Sequence, residues 1–302
     1  MTGRIDRRKF LLASGAGLAS ARLLAASVAM PRVPPRKYLR AVKLNMVQGE
    51  LSLLEKFQLL ERLRYDGVEL DSPNAFSDEE VLAARRATKL RIHGVIDSVH
   101  WRKTLSDPDA KVRAEGIAGL TRALHDAKTY GASTVLLVPA VVSKRVSYKS
   151  AYERSQAAIR EVLPLAAELE IKIAIENVWN KFLLSPLEMA RYIDEFDSPW
   201  IGSYLDVGNL VTYGWPEHWI EVLGERILKV DVKGFSRKKQ NETGPYSGFK
   251  VEILAGDCDW KAVMKALQAV GYEGWFTAEV PGGDEKRLRD IGKRLQGIFR
   301  LG

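Results

Sequence analysis

Eight times between residues 38 and 300, a short apolar run rich in branched side chains gives way to a longer amphipathic one. The short runs are RAVKLNMV (40–47), DGVELDS (66–72), LRIHGVIDS (90–98), STVLLVPA (133–140), IKIAIENV (171–178), IGSYLDVGN (201–209), ILKVDVKGF (227–235) and WFTAEVPGG (275–283). Helical periodicity follows each of them, over 51–64, 77–89, 107–130, 147–169, 185–196, 216–224, 259–271 and 284–300. Ser77 with Glu80 three residues on reads as a capping box, and Ser185 followed by Pro186 as an N-cap with proline at the first helical position. Nearly continuous apolar strands separated by helices imply a parallel sheet with both faces covered. An open doubly wound sheet would carry a glycine-rich first turn, and VQGELS after the first strand does not supply one. The pattern therefore predicts an α/β protein with a (β/α)8 TIM barrel over 38–302, and leaves no residues for a second domain.

Composition matters chiefly at the N-terminus. Residues 1–29 hold Arg4, Arg7, Arg8, Lys9 and Arg22 against Asp6, a net +4 of the chain's +8, so the remaining +4 is ordinary. No basic block interleaved with aromatics follows, which argues against nucleic acid as a partner. Twin arginines Arg7 and Arg8, a small-residue apolar stretch and the small-x-small site Ser27-Val28-Ala29 read as a twin-arginine signal peptide over 1–29. A linker over 30–37 contains Pro31, Pro34 and Pro35. The expected localisation is periplasmic, with no membrane contact after signal removal. Cys258 is the sole cysteine, which excludes an intramolecular disulfide and a thiolate zinc cluster.

The chemistry is expected at the C-terminal ends of the strands, where barrel active sites lie. Acids end several of them: Glu69 and Asp71 on the second, Glu176 on the fifth, Asp206 on the sixth, Asp231 on the seventh and Glu279 on the eighth. Four carboxylates converging from neighbouring strands repel one another strongly in a low dielectric. A divalent cation resolves that conflict, and oxygen donors favour Mn²⁺ or Mg²⁺. On the seventh strand, alternation places Lys229, Asp231 and Lys233 on one face.

ENV after the fifth strand, LDVGN after the sixth, VDVKGF in the seventh and AEV in the eighth resemble the xylose isomerase-like barrels, which include sugar-phosphate isomerases and sugar 3-epimerases. SVHW (98–101) and the LAGDCDW lead-in to the eighth helix extend the resemblance over roughly 38–300. It implies one divalent metal, Mn²⁺ first, with Mg²⁺, Co²⁺ or Zn²⁺ as alternatives, held by Glu176, Asp206, the residue at 231 and Glu279. The family usually reads H-x-K-D where this chain has Asp231-Val232-Lys233-Gly234. An aspartate there makes the site one charge more negative, and Lys233 on the same strand face offers an offset.

The resemblance further implies that Glu176 and Glu279 act as acid and base in an isomerase or epimerase working through an enediolate. His100, Trp101, Arg102 and Trp179 are expected to line the substrate cup, with Glu69 and Lys233 also facing substrate. His93 reads as a satisfied barrel-core histidine, and His125 and His218 as helix residues of the surface or packing. The expected partner is a small carbohydrate, and a homo-oligomer is compatible with these residues. A lyase acting on a keto-sugar or keto-glycoside uses the same groups, and a non-catalytic sugar-binding barrel is suggested by the missing histidine. The multi-zinc endonuclease barrels need many histidines, and four scattered ones argue against that class.

Overall fold

The structure is a computed structural model describing residues 37–302. The expected signal segment and residues 30–36 of the linker lie outside the described residues. Eight strands, β1 (Tyr38–Lys43), β2 (Gly67–Ser72), β3 (Arg91–Asp97), β4 (Thr134–Leu137), β5 (Lys172–Glu176), β6 (Ile201–Asp206), β7 (Ile227–Val232) and β8 (Gly274–Ala278), pair in parallel and close into a barrel in chain order. The TIM-barrel expectation is met.

Helices α1 (Leu53–Arg62), α2 (Asp78–Ala87), α3 (Ala110–Tyr130), α4 (Tyr148–Leu169) and α5 (Pro186–Asp194) follow β1 to β5 in turn. A four-residue helix α6 (Val207–Leu210) and then α7 (Pro216–Leu223) follow β6. A short α8 (Arg237–Thr243) and then α9 (Trp260–Ala269) follow β7, and α10 (Glu285–Phe299) follows β8. Local chemistry sets the helix ends. Ser77 and Glu80 form the reciprocal capping box, Ser185 caps α5 with Pro186 in its first turn, and a second box joins Ser52 to Glu55 at α1. Gly131 ends α3 at φ +73°, a left-handed cap that costs glycine little.

Strand parity decides which side chains face the barrel axis. Ile173 and Ile175, Leu205 and Val207, Val230 and Val232, and Phe276 and Ala278 all pack in the main core between sheet and helices. The alternate residues therefore point inward: Ala174 and Glu176, Tyr204 and Asp206, Lys229 and Asp231, Thr277 and Glu279. Leu136, Ala174 and Tyr204 form a small separate cluster of their own. On β6 and β7 a register shift pairs Ser203 with Ile227 but Tyr204 with Lys229, and from there Asp206 stands opposite Asp231. That bulge keeps both aspartates inward at one level.

Candidate active site

Glu176, Asp206, Asp231 and Glu279 each offer a carboxylate oxygen, and these four oxygens lie within 4.8 Å of one another. The ends of β5, β6 and β7 and the first residue after β8 carry them. Asp206 is the most firmly held. Its Oδ1 accepts from the Asn209 backbone at 2.9 Å, which starts α6. Asn177 Oδ1 accepts from the Asp206 backbone N–H, and Asn177 Nδ2 donates to the Asp206 carbonyl, both at 2.8 Å. This amide continues the ladder between two strand ends where the backbones part.

Two lysines meet the cluster. Lys43, the last residue of β1, places Nζ 2.7 Å from Glu279 Oε2 and 3.0 Å from Asp231 Oδ2. Lys233, just beyond β7, places Nζ 2.6 Å from Asp206 Oδ2 and 3.2 Å from Glu279 Oε2. Lys233 thus offsets Asp206 and Glu279, whereas the charge of Asp231 is met by Lys43. Lys229, the third inward residue of the strand-7 pattern, lies deeper and pairs with neither. Its Nζ is 2.9 Å from His93 Nδ1 and also donates to the His93 carbonyl.

A polar ladder runs beneath the cluster. His93 Nε2 lies 3.3 Å from Thr277 Oγ1, Thr277 meets Tyr204 OH at 2.9 Å, and Tyr204 donates to Glu69 Oε2 at 3.3 Å. Burial, reinforced by Lys229, holds His93 well below its ordinary value, so it is a neutral core histidine with Nδ1 accepting and Nε2–H free to donate. Burial lowers Lys229 to about 7 against the opposing pull of Glu69 and Asp231.

The electrostatics of the cluster divide its acids. Burial and the neighbouring Glu279 raise Glu176 to about 8. Asp206 and Asp231 are also raised, again chiefly by burial, with Lys233 and Lys43 respectively pulling back. Glu279 goes the other way. Burial would raise it, but Lys43 and Lys233 outweigh that and hold it well below the usual carboxylate range.

The donor set fits a hard divalent cation. Asp231 Oδ1 is buried with no hydrogen-bond donor among the described residues, and Glu176 receives no hydrogen bond there either. With all four acids ionised, as coordination requires, the two ammonium groups leave two negative charges, which one divalent ion matches. All four donors are oxygen, the preference of Mg²⁺ and Mn²⁺.

A cavity of about 490 Å³ opens above the cluster, lined by Lys43, Glu176, Lys233 and Glu279 below and by Trp101, Trp179, Tyr246 and Phe249 among others. Of the residues expected to face substrate, Trp101, Trp179 and Lys233 line it. Three others stand elsewhere. Glu69 is fully buried in the ladder under the cluster. His100 is buried in the wall, its Nδ1 accepting from the Val138 backbone at 3.2 Å, and Arg102 is exposed beyond the lining. Asp71 is half-buried and also outside it. His125 and His218 are exposed helix residues. Sequence reasoning passed over Lys43, Asn177, Asn209, Tyr246 and Phe249. For Lys43 a signal was present, because it ends its strand in step with Ala41 on the inner face.

The sequence profile of the xylose isomerase-like TIM barrels matches residues 57–298. The chain belongs to that family. L-ribulose-5-phosphate 3-epimerase UlaE of Escherichia coli K12 is 25% identical over 256 residues, covering 78% of this chain and 87% of its own. Among solved structures, a D-tagatose 3-epimerase-like protein superposes with a TM-score of 0.75 at 17% identity, over 87% of this chain and 97% of its own. The 3-keto-D-glucoside 4-epimerase YcjR of E. coli reaches 0.69 at 17% identity, over 87% and 100%. These structural likenesses show a shared fold, and several of the family's relatives are sugar epimerases.

Proposed function

We propose that this family member is a divalent-metal-dependent sugar epimerase or isomerase, acting at the carbon beside a carbohydrate carbonyl. The reading is carried by the four carboxylate oxygens gathered within 4.8 Å at the floor of an aromatic-walled cavity. Glu176, Asp206, Asp231 and Glu279 would hold the ion, with Mn²⁺ the first choice. Bound there, it would supply Lewis-acid polarisation of the substrate carbonyl and its neighbouring hydroxyl.

The protein's own groups do the proton work. Glu176 and Glu279 come from β5 and β8, three strands apart around the ring, and so approach a bound sugar from different sides. Glu279, kept ionised between Lys43 and Lys233, suits the base that removes the C–H proton. Glu176, on the other side, would be the group that returns a proton to the opposite face of the enediolate. In the reverse direction the roles exchange. The aromatic walls offer flat faces to sugar C–H groups. The basic, twin-arginine start supports export of the folded enzyme, so its substrate would be met outside the cytoplasm.

The test is to incubate the Mn²⁺-supplemented protein with ketoses and keto-glycosides in D2O and follow solvent deuterium and product by NMR. Exchange at one carbon with appearance of the epimer or isomer supports the reading. Glu176→Gln and Glu279→Gln should each slow exchange by about 10²–10⁴-fold. Loss of water from the sugar would instead identify a lyase, and no reaction with any keto-sugar would contradict the enzyme reading.

A further inference from the structure

The carboxylate floor has no use for the upper part of the cavity. Trp101 is 50% exposed and Tyr246 72% exposed, yet both belong to its lining. Trp101 follows β3 and Tyr246 follows β7, strands four apart in a ring of eight, so the two rings stand on opposite sides of the mouth. Neither is a stray surface aromatic. His100, fixed in the wall, meets Trp101 edge-on at 5.7 Å. Tyr246 packs on Trp179 at 5.3 Å, and Trp179 is itself anchored by its indole N–H donating to the Asn209 carbonyl at 2.9 Å.

The segment that presents Tyr246 is fastened at several points. Arg237 Nε donates to the Val211 carbonyl at 2.9 Å and Nη2 to the Gly214 carbonyl at 2.6 Å, while Ser247 Oγ donates to the Lys239 carbonyl at 2.6 Å. Phe249 closes against Trp179 at 5.0 Å and Phe235 at 4.8 Å, giving an ordered aromatic bank.

The charges of the cavity also bear on what enters. Among the described residues its lining contains two cations, Lys43 and Lys233, and both are engaged with carboxylates. A phosphate dianion at the mouth would find no uncommitted lysine in the lining, whose acids are Glu176 and Glu279. An uncharged pyranose, through its C–H face, or a planar aryl group finds matching surfaces on either side.

We propose that the mouth is a second subsite, in which Trp101 and Tyr246 clamp the uncharged ring of a glycosidic extension. The substrate is then a neutral oxidised glycoside, its keto-sugar end over the carboxylates, rather than a sugar phosphate. This rests on the epimerase reading only for which end of the ligand points down.

The test is equilibrium binding, which needs no turnover. Full-length protein with Mn²⁺ is titrated calorimetrically with glucose, phenyl β-D-glucopyranoside and glucose 6-phosphate. Phenyl glucoside should bind about tenfold more tightly than glucose, and the phosphate no more tightly than glucose. Trp101→Ala and Tyr246→Ala should each bring the two affinities within about twofold, while each variant still unfolds in a single cooperative transition and binds glucose as the wild type does. Equal affinity for glucose and phenyl glucoside, tighter binding of the phosphate, a gain that survives both variants, or no binding of any ligand would overturn it. A phenyl gain without proton exchange on any keto-sugar would retain the subsite and reject the epimerase reading, whereas exchange on free ketoses without the gain would do the reverse.

Discussion

At the scale of single residues, the unusual feature is an ionic pair, Asp231 with Lys43, where strand 7 meets strand 1 across the barrel mouth. Asp231 is fully buried and Lys43 nearly so, and an acid in that position without a counter-charge is costly. Lys43→Met should therefore destabilise the metal-stripped protein by about 3 kcal/mol in urea unfolding. Adding Asp231→Asn should recover more than half of that loss, because the stranded charge is gone; equal losses in single and double variants would show that the pair is not the cause. Alternation along strand 7 already placed Lys229, Asp231 and Lys233 on one inward face. It could not say which base serves which acid. Those partners come from β1, β3 and β6, and only closure of the barrel brings them together.

At the scale of elements, the eight strands and their following helices were legible because each carries an apolar stripe of the right period, punctuated by caps such as Ser77 and Ser185. The segment after β7 was not. RKKQNET in α8 has no buried residue, so no periodicity announces a helix, and it is held by caps and by contacts made through Arg237. Tyr246 and Phe249 follow it and were hidden for the same reason. The return of this segment turns on Gly256, at φ +93°, where an added Cβ would stand 2.2 Å from the Phe235 carbonyl oxygen. Gly256→Ala should cost about 1–3 kcal/mol and lower the thermal midpoint by several degrees. Limited proteolysis should then cut first within 237–256, and an unchanged midpoint would mean that the turn does not hold the aromatic bank.

At the scale of the whole molecule, the barrel's closure and its β6–β7 bulge convert four scattered acids into one cluster. Sequence spacing exposed the set, since each acid sits at or beside a strand end. It pointed to Lys233 as one offset but did not reveal Lys43, the second ammonium group that brings the cluster's charge to that matched by a single divalent ion, because Lys43 lies far from the other members in the chain. Raised acids must lose their protons before they coordinate, so affinity for the ion should increase as pH rises from about 6 through the Glu176 value of about 8. The decisive measurement is the metal content of the purified protein and of Asp231→Ala after dialysis against Mn²⁺ at pH 8. About one divalent ion per wild-type chain, lost in the variant and reduced at pH 6, is the predicted result. Absence of bound metal in both proteins under every condition would contradict the metal-dependent chemistry proposed for this site.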